Sequence, residues 1–160
     1  MKRRLGIIVA GLLTLSMMGG AAPVAASADE GCTPGYWKNH TDMWPITVNG
    51  WLAATEPAGV QIRPSDDWDD WFSNDLFDMT LLEVLQQGGG GKYAFGRHAV
   101  AAFLNAHSDG VQYDRYPGSP WGYPNGVWNA VDRIGTGASK AAYNAAKSIF
   151  EGLNESGCPL

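Results

Sequence analysis

Residues 94–106 read AFGRHAVAAFLNA. Phe95, Ala99, Ala102, Phe103 and Ala106 recur at helical spacing and form one stripe. Val100 and Leu104 fall on other sides, so the segment is apolar almost all round. A helix without a wide polar face belongs at the centre of a core. Its alanines allow neighbouring helices to approach closely. His98 and Asn105, seven apart, fall together at the edge of the stripe and are candidate site residues.

Other helices are placed around this one. Thr80-Leu81-Leu82-Glu83 is a capping box, in which Thr caps the backbone and Glu reaches back. Leu81, Leu82 and Leu85 supply its apolar side. Gly88 to Gly91 ends that helix and reads as a flexible hinge. A short helix spans Asn125 to Ile134 with Val127, Val131 and Ile134 apolar. The last helix, Ser139 to Leu153, turns Ala142, Ala146, Ile149, Phe150 and Leu153 inward and sets Lys140, Asn144, Lys147 and Glu151 on the opposite side. Near the start, Thr33 is a good N-cap and Pro34 suits the first helical position. Trp37, His40 and Trp44 share a face if that helix persists, and Gly35 weakens it. The fold class is all-α: a compact bundle of about four to five helices with long aromatic-bearing loops. A further short helix around Trp68 and Trp71 is allowed, although Pro45, Gly50, Pro57, Gly59 and Pro64 break any period before it.

Residues 1–28 read as a secretory signal peptide. Lys2, Arg3 and Arg4 precede the apolar run Leu5 to Met18, and Ala26-Ser27-Ala28 is an A-x-A cleavage site. A retained anchor is the rival reading, but the run is shorter than the roughly 20 residues of a spanning helix. Cleavage leaves residues 29–160 as a single globular helical domain. The leader carries three of the 11 basic residues and none of the 16 acidic ones. The remaining negative charge excludes a nucleic-acid partner and an anionic lipid surface. The expected localisation is secreted, either released or held at the cell surface, with no membrane span after cleavage.

Only two cysteines occur, Cys32 and Cys158. In an exported chain they are expected to pair, joining the two ends of the domain. A loop that long stabilises a fold by up to ~4.7 kcal/mol in the chain-entropy account. No C-x-x-C pair is present for redox or zinc chemistry.

Three stretches, TPGYWKNH, LLEVLQQGGGG with GRHAVAAFLNA, and the terminal IFEGLNESGCPL, together resemble an uncharacterised family of small secreted bacterial domains. Some of these stand alone and some are attached to larger surface proteins. The resemblance covers most of residues 31 to 160 and implies an exported domain. It brings no reaction, ligand or catalytic residue with it.

The chemistry-bearing residues form no recognised catalytic pattern. His40, His98 and His107 lack metal-ligand spacing, so no cofactor or metal is expected. The bland alternative gives His98 a hydrogen bond in the core and leaves His107 exposed at a helix end. The run DDWDDWFSND has enough carboxylates to suggest calcium, but the EF-hand Gly and terminal Glu are missing, and it reads as a solvated acidic loop. Seven tryptophans and six tyrosines would suit sugar stacking, yet a Trp in a small domain more often anchors a core. No G-x-S-x-G is present, and nothing sets two carboxylates across a cleft.

Tyr36, Trp37, Lys38, Asn39 and His40 admit two readings: a polar binding site, or an architectural turn whose Trp37 is buried against the central helix near Ala102 and Phe103. The architectural reading is the expectation. Asn39-His40-Thr41 and Asn154-Glu155-Ser156 match the glycosylation sequon. The function expected is a non-catalytic domain acting by binding to an extracellular partner, a polysaccharide or a surface protein. A carbohydrate- or wall-polymer-binding module using exposed Trp and Tyr is the first alternative, and a small extracellular hydrolase the second.

Overall fold

A computed structural model describes residues 30–46, 59–111, 113 and 125–160. The leader, Trp51, Trp121 and most of the loop from Ser108 to Pro124 lie outside those residues. Six α-helices are described: α1 (Pro34–Asn39), α2 (Trp68–Trp71), α3 (Leu81–Gln86), α4 (Lys92–His107), α5 (Asn125–Asp132) and α6 (Lys140–Asn154). A 3₁₀ turn, Thr41–Met43, follows α1. Isolated β-bridges, but no strands, occur among the described residues.

The all-α expectation stands, with one more helix than expected. The extra element is α2, inside the acidic run. Asp67 and Asp70 form a capping box, in which each side chain accepts a hydrogen bond from the other's backbone N–H. Asp66 accepts from the Arg63 backbone N–H and from the indole of Trp71. Three carboxylates of this run therefore act as local caps, and Trp68 and Trp71 are buried beside them. The expectation of a merely solvated loop is corrected: the aspartates build a helix start that directs two tryptophans inward.

α4 is the central helix. Ala94, Phe95, Ala99 to Leu104 and Asn105 are all buried. α6 runs parallel to it. Gly91 at the start of α4 lies near Lys140, Phe95 packs on Tyr143 at 5.8 Å, and Asn105 meets Asn154 at 3.0 Å. On another side, α3 and Phe77 press on Gly96, where an added Cβ would stand 2.5 Å from the Phe77 ring. The hydrophobic cluster continues through Trp68, Phe72, Val84, Val127 and Val131.

Three sequence expectations change. The first helix does not persist to Trp44. It stops at Asn39, and the chain turns so that Trp44 is buried and its indole donates to the Trp37 carbonyl at 3.0 Å, while His40 points to solvent. The buried line of α6 is Tyr143, Phe150 and Asn154, leaving Ile149 39% exposed. Lys147 moves with that rotation from the outer face to the half-buried seam with α4. The cause is Tyr143, whose ring packs on Phe95 and whose hydroxyl donates to the carbonyls of Gly135 and Thr136. Finally, the glycine run is pinned rather than a hinge. The Arg97 guanidinium donates to the carbonyls of Gln87 at 2.7 Å and Gly89 at 3.0 Å. Gly91 takes a φ of 59°, which a side chain would resist, and α4 starts from it.

Cys32 and Cys158 form the expected disulfide, with Cα atoms 4.4 Å apart. Gly31 and Gly157 pair beside it as an antiparallel bridge. Gly31 has no room for a side chain, since a Cβ would fall 2.3 Å from the Leu153 carbonyl oxygen. The two ends of the domain are therefore fastened against the C-terminal end of α6.

Candidate functional site

The candidate site residues separate into an inner and an outer set. The inner set centres on Asn105, which is completely buried. Its carbonyl oxygen accepts from the Cys32 backbone N–H and from the Trp37 indole, both at 2.9 Å. Its amide nitrogen donates to the Cys32 carbonyl at 2.9 Å and to Asn154 Oδ1 at 3.0 Å. Asn154 is equally buried, accepts from the Tyr113 hydroxyl at 2.8 Å and donates to the His98 carbonyl at 2.9 Å. This is a satisfied polar knot, in which four hydrogen bonds from one side chain link the disulfide, α1, α4 and α6. A buried amide with all its groups matched specifies packing rather than binding.

Trp37 belongs to that knot. It is fully buried, as the architectural reading expects. Its polar partner is Asn105, one helical turn from the positions around Ala102 and Phe103 where the sequence places it. Asn154 and Tyr113 were not legible as members. Asn154 stands out in the sequence only as part of a sequon, and Tyr113 only as a loop aromatic.

The outer set is Tyr36, Lys38, Asn39 and His40. Thr33 caps α1 by accepting from the Tyr36 N–H at 3.2 Å, and Pro34 opens the helix. That short helix turns Lys38, Asn39 and His40 to solvent and leaves Tyr36 half-buried. The rings of Tyr36 and His40 stack at 4.2 Å and 14°, and His40 Nδ1 meets the Tyr36 carbonyl at 2.9 Å. Asn39 donates to the Gly35 carbonyl at 2.9 Å. Met43 and Ile46, which follow, are 48% and 53% exposed. The turn thus fixes an aromatic pair and an amide, with the exposed Lys38 beside them, on a base formed by the buried Trp37.

The histidines do not meet. His98 lies in the seam between α4 and α6, its Nε2 3.9 Å from Glu151. Lys147 holds the same Glu151 oxygen at 2.6 Å. His98 Nδ1 is buried with no hydrogen-bond partner among the described residues, so the expected core hydrogen bond of this ring is replaced by a distant carboxylate. His107 is buried, not exposed, and packs edge-on against Phe103 at 4.7 Å. α4 runs one residue further than its apolar pattern, so His107 stays on the helix one turn after Phe103 and packs on that ring. Burial pushes both imidazoles down to about 4, with Lys147 and Arg97 adding to the effect at His98 and Glu151 opposing it. Glu151 is itself held low, first by its hydrogen bond from Lys147.

Among the described residues no three His, Cys, Asp or Glu side chains gather as a metal set. Nor is any described helix long and apolar enough to cross a membrane. No family model matches the chain, and neither a curated protein nor a solved structure does.

Proposed function

We propose that the chain is an exported, non-catalytic domain that acts by binding, and that the outer face of the α1 turn makes the contact. The observation that carries this reading is the fixed Tyr36–His40 stack, with Lys38 and Asn39 exposed beside it. A ring pair and an amide held on the α1 turn above a buried Trp37 lose little conformational freedom on binding. The disulfide suits an oxidising compartment, and the leader and the resemblance to small secreted domains support export. The partner proposed is extracellular, a polysaccharide or a surface protein.

Among the described residues the two alternatives receive less support. Trp37, Trp44, Trp68 and Trp71 are buried and use their indole N–H groups inside the fold, so they offer no stacking surface to a sugar. Trp128 is half-buried and donates to the Trp71 carbonyl. For a hydrolase, His98 meets one carboxylate, already held by a lysine, where a paired acid and base are needed.

The test uses the labelled mature protein on intact cells of the producing organism and on a glycan array. The triple variant Lys38→Ala, Asn39→Ala, His40→Ala should keep its urea midpoint and lose binding. Binding that survives in the triple variant places the contact elsewhere and refutes this assignment.

A further inference from the structure

Two of the three histidines are carried by the central helix: His107 is buried, and His98 is half-buried in the seam with α6. The His98 side chain is 12% exposed, and His107 is 6% exposed. Both Nδ1 atoms are shut from solvent with no hydrogen-bond partner among the described residues. They lie on different walls of α4. His98 faces α6, where the charged groups are Lys147 and Glu151, with Arg97 next to it on its own helix. Among the described residues Glu151 is the only counter-charge there, and Lys147 already holds it. His107 faces an aromatic wall. Its ring meets Phe103, and Phe103 packs on Trp71 at 5.2 Å and Phe72 at 5.4 Å. Burial alone opposes its charge, with no charged side chain contributing.

We propose that His98 and His107 make the packing of α4 an acid-operated latch. Neutral rings hold α4 against α6 and the aromatic wall. A proton from solvent on each ring would place a cation in both contacts at once, and the helix loosens. The step breaks no covalent bond, so the disulfide keeps residues 32 and 158 joined, and deprotonation restores the packing.

The sign follows from linkage. Both imidazoles are lowered in the folded chain from 6.5 to about 4. Between those limits the unfolded chain binds more protons, so stability falls as pH falls from 6.5 towards 4. Between about pH 5 and 6, where free carboxylates are already ionised, two such rings raise the unfolding constant ~50-fold over that one pH unit.

Urea melts of the mature, disulfide-intact protein across pH 5–6 test this. The wild-type slope should be ~50-fold per pH unit, His98→Gln should reduce it to ~7-fold, and adding His107→Gln should leave it nearly flat. A wild-type slope below ~3-fold, or a double variant that keeps the wild-type slope, overturns the proposal. If the double variant does not fold at neutral pH, ring signals of His40→Gln, which retains only His98 and His107, give the answer by NMR. Both rings should stay neutral until near-UV circular dichroism collapses. A ring that titrates near 6.5 while the fold persists overturns it, as does loss of packing at pH 4 that neutralisation fails to reverse.

Discussion

Replacing Asn105 should be the most damaging conservative change in this protein. Asn105→Leu keeps the same number of side-chain heavy atoms and the branch at Cγ, so it removes the polar contribution without opening a cavity. Four hydrogen bonds disappear: two accepted, from Cys32 and Trp37, and two donated, to Cys32 and Asn154. Asn154 Oδ1 keeps the Tyr113 hydroxyl. The Cys32 N–H, the Cys32 carbonyl and the Trp37 indole lose their Asn105 partner, and both residues are fully buried. Each buried group left unmatched costs about 1–3 kcal/mol, so three of them cost about 4–6 kcal/mol once partial relaxation is allowed. Domains of this size are stable by roughly 5–15 kcal/mol, so the variant should sit at the edge of folding. Urea unfolding followed by Trp fluorescence, with the disulfide intact in both proteins, measures the difference against a similarly constrained unfolded chain. A loss of less than ~1 kcal/mol would refute the idea that this amide knots the domain together, because an unmatched set of that size cannot be so cheap.

Other outcomes follow from the same geometry. Trp37→Ala should cost ~3–5 kcal/mol, whereas Lys38→Ala, on the exposed side of α1, should cost well under ~1 kcal/mol by the same urea melts. Gly96→Ala, although helix-favouring elsewhere, should destabilise by ~1–3 kcal/mol in thermal melts, since its Cβ would meet Phe77. Secreted from a eukaryotic host, the protein should accept a glycan at the exposed Asn39 and none at the buried Asn154, which peptide mass mapping would decide. Purified protein should carry no stoichiometric zinc; about one zinc per chain by elemental analysis would contradict the separation of His40 from His98.

Periodicity and capping chemistry carried most of the fold. An apolar surface all round α4, the Thr80–Glu83 box and the Thr33-Pro34 start are local signals, because neighbours on a helix are three or four residues apart in the chain. Two cysteines likewise leave one pairing within the chain. The site was less legible. The sequence singles out Trp37 and Asn105 separately, but nothing local says that one donates to the other across 68 residues. His107 shows the same limit, since its burial depends on what packs over the end of α4.

Sequence by itself therefore determined the longer helices, their order and the bridge between Cys32 and Cys158. Only the tertiary structure decided which polar groups are buried together and which face solvent. It rotated α6 by its Tyr143 anchor, buried Asn154 and exposed Ile149. It also sent Trp37 inward while leaving Lys38, Asn39 and His40 outside. The physical reason is range. A helix is set by hydrogen bonds four residues apart, whereas the match of a buried donor to its acceptor depends on where distant segments meet.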